Sequence, residues 1–283
     1  MAWATTRDLE RYAERAGPFL RVRPVEHTVP LTVIEVLRAR GVDAGARDAP
    51  VFGWWTDPGG AVTGAFMWTP PHPPLLTGMP AGAGAALARV LADAAGRPAA
   101  VNAPETVADE FAAAWCTRTG ATLAAGRRPM RLHRLDALRR PDPAPAGRAA
   151  VATRADRPLL VDWYEAFGRD VGEPAAGVAA EVDDRLTYGG LTLWRVDGAP
   201  VSLGGVTRQV AGVTRVAPVY TPPEHRGRGY AAAVTAAVTR AALDAGAGDV
   251  VLYTDLANPT TNRLYARLGF VPVEDRLVLR FAG

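Results

Sequence analysis

Apolar runs and turn-forming residues alternate along the second half of this chain and predict a series of short elements. Val216-Ala-Pro-Val-Tyr220 is an apolar stretch and reads as a strand. A loop rich in Pro, Arg and Gly follows, and beyond Tyr230 the chain becomes an Ala-rich helix. Val250-Val-Leu-Tyr-Thr-Asp255 is a short apolar run with β-branched residues, which predicts a buried strand. Leu256 to Asn262 is turn-rich, Arg263 to Leu268 predicts one or two helical turns, and Gly269 supplies their stop. Phe270-Val-Pro-Val then returns to an extended path.

The first half carries a fainter copy of the same pattern. Ala65-Phe-Met-Trp-Thr-Pro-Pro-His72 lines up with Pro218-Val-Tyr-Thr-Pro-Pro-Glu-His225, each a strand running into Thr-Pro-Pro. Ala85 to Ala94 predicts the next helix, Ala99 to Asn102 a strand, and Phe111 to Thr119 a helix stopped by Gly120. Arg131 to Leu135 would close the set. Between the halves lies Arg140-Pro-Asp-Pro-Ala-Pro-Ala-Gly-Arg148, too proline-rich for helix or strand. The expected division is therefore 1–140, a joint at 141–147, and 148–283.

Chemistry is concentrated at the start of the Ala-rich helix, in Arg226-Gly-Arg-Gly-Tyr-Ala231. The first amides of a helix have no intrahelical acceptor, and the helix dipole is positive there. Small residues at Gly227, Gly229 and Ala231 admit a ligand close to the backbone, while Arg226 and Arg228 add fixed positive charge. Together these make a site for a pyrophosphate. The same letters fit a dinucleotide fingerprint, Gly227-x-Gly229-x-x-Ala232 with Asp249 downstream. Too little chain follows for a doubly wound sheet, and Asp249 precedes its strand instead of ending it. The first half replaces the loop with His72-Pro-Pro-Leu-Leu-Thr-Gly-Met-Pro80, where prolines 73, 74 and 80 lack N–H groups and no arginine occurs. It makes a poor phosphate cradle.

Strand, Arg/Gly loop and helix, followed by Asn258, Asn262, Tyr265, Gly269 and Phe270 at their spacing, resemble the GCN5-related N-acetyltransferases, the GNAT superfamily. The resemblance covers roughly Val151 to the C-terminus. It implies an α/β (α+β) protein with two tandem acetyltransferase-like domains, the first degenerate. Each would have a mixed, mostly antiparallel central sheet flanked by helices and splayed between the strands that hold acetyl-CoA. By the same resemblance Val219, Tyr220 and Thr221 would face the pantetheine arm through their backbone. Residues Arg226, Gly227, Arg228, Gly229, Tyr230 and Ala231 would hold pyrophosphate, and Asn258 and Asn262 would contact the pantetheine. Tyr265 would protonate the departing thiolate. Pro218, unable to donate to a ladder, suits a strand splayed from its neighbour.

Each of these residues also has a plainer role: Tyr265 as a packed aromatic, Asn258 as a turn former, Asn262 as a helix cap. No acidic residue lies in Arg215-Val-Ala-Pro-Val219, so the general base is left open among Glu165, Asp170, Glu173 and water. Trp163, Tyr164 and Phe167 of the same segment could wall an acceptor pocket, or simply fill the core.

Composition narrows the classes. The chain has 283 residues, 48% of them hydrophobic, enough for two cores. Net charge is only +3, with acidic residues spread throughout, which argues against a nucleic-acid surface. All 32 basic residues are arginine, a bias expected of a GC-rich bacterial genome. One cysteine, Cys116, excludes a disulfide framework, and its expected place is the core. His27, His72, His133 and His225 have no metal-site spacing. No apolar run is long enough for a membrane span, and the first residues do not resemble a signal peptide. The expectation is a cytoplasmic N-acetyltransferase, monomer or homodimer, acting on a small-molecule amine such as an antibiotic, amino-sugar, polyamine or peptide amine. It would take acetyl-CoA as co-substrate and bind no metal, membrane or nucleic acid. The rivals are a non-catalytic acyl-CoA-binding module and an aminoacyl transferase of the tandem peptidoglycan-ligase type.

Overall fold

The computed structural model describes residues 1–41, 49–94, 97–172 and 177–282. They form two compact units. The first comprises Met1–Leu132, Asp255–Ala257 and Val273–Gly283; the second comprises His133–Thr254 and Asn258–Pro272. Each compact unit thus draws on more than one stretch of chain: the joint at 141–147 groups with the second, and the last residues with the first.

The first unit contains β1 (Ala2–Thr6), α1 (Leu9–Val22), α2 (Thr28–Arg40), β2 (Val51–Thr56), β3 (Val62–Trp68) and β4 (Leu75–Leu76). It continues with α3 (Ala83–Asp93), β5 (Ala100–Pro104), α4 (Glu105–Thr119) and β6 (Thr122–Leu123). β7 (Arg128–Leu135) crosses the division. In the second unit lie β8 (Arg148–Val151), α5 (Arg157–Val171), α6 (Val178–Thr187), β9 (Leu191–Val196), β10 (Ala199–Val206) and β11 (Val213–Tyr220). Then follow α7 (Tyr230–Asp244), β12 (Asp249–Asp255), α8 (Pro259–Leu268) and the closing β13 (Phe270–Ala282).

In the first unit β1, β2, β3 and β4 form an antiparallel meander, and β4 meets β5 in parallel at Leu75 and Asn102. The far edge of β5 is taken by the end of the chain, where β13 pairs antiparallel from Arg276↔Pro104 to Arg280↔Ala100. Leu277 and Leu279 thereby enter a core with Phe66, Leu87, Phe111 and Trp115. Arg276 is buried and donates to the Leu76 carbonyl at 2.7 Å and to Asn102 Oδ1 at 3.1 Å. Trp115 fills the core, while Cys116, expected there, is only half-buried.

The second unit is built on β8, β9, β10 and β11, antiparallel throughout, with β12 added in parallel to β11. Asp197 and Gly198, with φ of 49° and 83°, join β9 to β10. A two-residue Asp-Gly turn with both φ positive matches the twist of a hairpin. Two cores cover the sheet. Val216, Val238, Val250, Leu252, Tyr265 and Phe270 form one with α7 and α8. Leu160, Tyr164, Val182, Leu193, Leu203 and Tyr220 form the other with α5 and α6.

Candidate active site

β11 leaves its parallel partner early. It pairs with β12 only at Val213↔Asp249, Thr214↔Val250 and Arg215↔Val251. On its other side it stays with β10 as far as Leu203↔Tyr220, across a register shift between Gly204 and Val206. Gly205 makes that shift possible, since a Cβ there would lie 2.8 Å from the Ala217 carbonyl oxygen. Beyond Arg215 the β12-facing edge of β11 is therefore open, and Pro218 within it has no N–H to offer. Ser202 Oγ on β10 donates to the Tyr220 carbonyl at 3.0 Å. Backbone groups alternate along a strand, so the N–H and C=O of Val219 turn toward the open edge.

The loop after β11 makes a short 3-10 turn at Pro223–His225 and passes into α7. Gly229 is the N-cap, held at φ 82°, and no side chain caps the helix. The His225 and Arg226 amides are bonded to Pro222 and Pro223 carbonyls, and Ala233 donates to Gly229. Between them, the six N–H groups of Gly227, Arg228, Gly229, Tyr230, Ala231 and Ala232 have no acceptor among the described residues. Exposed rows of this kind at helix starts are suited to anions.

The two arginines divide. Arg226 is committed within the protein: Nη2 donates to Asp170 Oδ2 at 2.5 Å and Nε to the Thr221 carbonyl at 2.9 Å. Arg228 is exposed and has no ion-pair partner among the described residues. Tyr220 and Tyr230 point their rings inward and are buried. Their contribution to a ligand is thus confined to backbone. Thr221 Oγ1 lies 2.8 Å from Ser202 Oγ.

α8 brings the remaining residues. Asn258 is its N-cap, accepting from the Thr260 and Thr261 amides at 3.2 Å each. Asn262 Nδ2 donates to the Asn258 carbonyl at 2.9 Å, and its Oδ1 accepts from Thr254 at 2.7 Å. The Asn258 Nδ2 group has no acceptor among the described residues, so it remains available to a ligand. Tyr265 is buried in the same apolar cluster that Val219 and Ala232 pack against, and its ring meets Phe270 edge-on at 6.1 Å. Burial pushes its phenol up to about 12. It stays protonated through the neutral range, as a proton donor must.

Of the candidate carboxylates, Asp170 is held by Arg226, Glu165 has no cation partner among the described residues, and Glu173 lies outside those residues. Trp163 packs on Tyr220, with ring centroids 6.0 Å apart, and Phe167 joins the same core. No cluster of three potential metal ligands occurs among the described residues. No helix among them is long and apolar enough to cross a membrane.

Against known families, residues 156–270 match the Acetyltransferase (GNAT) family. That segment is similar to a GNAT domain. The span of that match holds the open strand, the amide row and Tyr265 together. Solved structures agree in fold. A GCN5-related N-acetyltransferase from Kribbella flavida aligns at 25% identity over 79% of this chain and 89% of its own, with a TM-score of 0.52. One from Sphaerobacter thermophilus aligns at 20% identity, covering 87% and 84%, with a TM-score of 0.58. A tandem GNAT protein from the clavulanic acid biosynthesis pathway covers 99% of this chain and 98% of its own at 16% identity, TM-score 0.54. That coverage extends the likeness to the N-terminal unit. No curated protein sequence matches the chain.

Two residues that sequence reasoning passed over sit at the same strand. Arg185, on α6, is buried and donates to the carbonyls of Val206 at 3.0 Å and Ala217 at 2.5 Å, and to Glu181. Arg215 lies at the last paired position before the opening. An arginine on an amphipathic helix or a half-buried strand looks like a solvated charge in sequence, and no local signal distinguishes these two.

Proposed function

We propose that the second unit transfers acetyl from acetyl-CoA to a primary amine of a small molecule, by direct attack within a ternary complex. The match of residues 156–270 to the GNAT family supports an acyltransferase. Acetyl-CoA, when bound, supplies an activated acetyl thioester. The amide row from Gly227 to Ala232 and the Arg228 guanidinium hold its pyrophosphate, and the open edge at Val219 pairs with the pantetheine amides. The Val219 N–H polarises the acetyl carbonyl. Tyr265 gives its phenolic proton to the departing sulfur. Glu165 or water takes the proton of the amine. The observation that carries the reading is the unpaired amide row packed through Ala232 and Val219 into one cluster with Tyr265.

The first unit is proposed to bind no CoA. Its α3 starts at Gly82, whose N–H is already bonded at 3.0 Å to the Glu110 carboxylate. A built-in anion occupies the place a phosphate would take. The reading is tested by calorimetry with acetyl-CoA and by free-thiol release across a panel of amines. Absence of saturable acetyl-CoA binding by the full chain would refute it.

A further inference from the structure

Arg215 is an unusual residue to find on an inner strand. Its backbone is fully used: the amide donates to Thr207 Oγ1 at 3.0 Å, and its carbonyl accepts from the Thr207 N–H at 2.9 Å. Its side chain is not. Nη1 is buried and has no hydrogen-bond partner, and no carboxylate pairs with the guanidinium among the described residues. A buried cation without a counter-ion is costly, which is why such groups are nearly always paired. Here burial outweighs every favourable neighbour and draws the guanidinium down to about 10.

The surroundings sharpen the imbalance. Val216 packs into the core under α7, so Arg215, its neighbour in the strand, turns to the α6 face. The charged and titratable groups that act on it most are Tyr253 on β12, then Arg185, Glu181 and Tyr188. Glu181 is the one acid of that set, and it is engaged by Arg185 through Nε at 3.1 Å and Nη2 at 2.9 Å. Tyr188 spends its hydroxyl on the Val206 carbonyl at 3.0 Å. Two guanidinium groups against one carboxylate leave one positive charge over, with a donor pointing at nothing. The position is also specific: Arg215 is the last residue paired to β12, at the vertex of the opening whose mouth holds Val219. Four residues of strand separate the two, roughly 13 Å along the backbone.

We propose that Arg215 binds a carboxylate of the acceptor, so that the substrate is an amine bearing a carboxylic acid, such as an amino acid or a small amino-acid derivative. This rests on the acetyl-transfer reading above. A monoanion balances the single surplus charge, whereas a phosphate dianion overshoots it. The planar fork of arginine suits a carboxylate in two-point contact.

The test uses the full-length protein and a paired panel: amino acids, their carboxamides, and an aminoalkyl phosphate. CoA release and equilibrium binding of each are measured in the wild type and in Arg215→Gln, with acetyl-CoA affinity measured separately. The wild type should favour acids over amides by about ten- to a hundredfold, the range of one charge-assisted hydrogen-bond pair. Arg215→Gln should erase that ratio while acetyl-CoA still binds, and Arg215→Lys should restore part of it. Arg215→Met should melt, without ligand, at the same temperature or higher, because it removes an uncompensated buried charge. A ratio near one in the wild type, with amines still acetylated, would overturn the carboxylate assignment and leave acetyl transfer standing. So would preference for the phosphate, survival of the ratio in Arg215→Gln, or a lower melting temperature for Arg215→Met. Failure of the wild type to bind acetyl-CoA would sink the acetyl-transfer reading, and this assignment with it.

Discussion

Gly82 and Gly229 stand at the N-caps of equivalent helices with the same left-handed backbone, φ 82° in each, and neither helix has a side-chain cap. What they meet differs. Gly82 donates to the Glu110 carboxylate, whereas Gly229 begins a helix whose leading amides are open and whose neighbour Arg228 is a free cation among the described residues. One geometry is thus satisfied by the protein itself in the first unit and, among the described residues, left open in the second.

Gly229→Asp should abolish acetyl-CoA binding. Aspartate would carry a Cβ at a left-handed φ and put a carboxylate at the amide row. Circular dichroism should show a folded variant, and calorimetry should show no heat with acetyl-CoA. Undiminished affinity would move the cofactor elsewhere.

Arg228→Ala should weaken acetyl-CoA binding more than Arg226→Ala does, although the two lie two residues apart. Arg226 already spends its guanidinium on Asp170 and the Thr221 carbonyl. A loss of about ten- to a hundredfold is expected for Arg228 on the scale of a charge-assisted contact. Its affinity should also depend less on salt than that of the wild type. Equal losses, measured by calorimetry at two ionic strengths, would contradict this division.

Much of this was legible in the sequence. Period, turn residues and the Arg/Gly loop announce β11, α7, β12 and α8 within a few residues of their ends, because each is fixed by local chemistry. Gly269, predicted as a stop, holds φ 96° after α8, and Gly120 does the same after α4 at φ 75°. Two things were not legible. One is the grouping of Val273 onward with the first unit, since the pairing of β13 with β5 joins residues far apart in the chain and leaves no local trace. The other is the burial of Arg185 and of the Arg215 Nη1, where only the packed structure tells a solvated guanidinium from a desolvated one.

Arg185→Met should destabilise the second unit by roughly 3 kcal/mol, since it strands two buried carbonyls, those of Val206 and Ala217. The melting temperature should fall by about 10 °C at this domain size. A shift within a degree or two would mean that water replaces the guanidinium.

Removing residues 273–283 should unfold the first unit first. It strips Leu277 and Leu279 from the core around Phe111, removes buried Arg276, and bares the edge of β5. Hydrogen exchange should show β5 and α4 losing protection before α7 and β11. Uniform protection would show that β13 is dispensable there.

Tyr265→Phe removes one hydroxyl and keeps the ring that packs on Phe270. Acetyl-CoA affinity should survive. A departing thiolate has a conjugate acid near 8.5, so its protonation helps without being indispensable. The expected loss in kcat is about ten- to a thousandfold, on the order of 1–4 kcal/mol, with KM for acetyl-CoA little changed. The pH dependence separates this role from packing. Burial raises the Tyr265 phenol from its ordinary 10 to about 12, so it remains a proton donor throughout any ordinary assay range. A basic limb in kcat below pH about 10 should therefore appear unchanged in the Phe variant, at a lower plateau. Stability carries the opposite sign of test. A raised folded-state value stabilises fully below the unfolded value of 10 and is lost as pH rises through 12. Urea midpoints should thus fall less steeply between neutral pH and pH about 11 for Tyr265→Phe than for the wild type. Wild-type turnover in the variant would leave Tyr265 as a packing residue, with the thiolate departing unprotonated or drawing its proton from water.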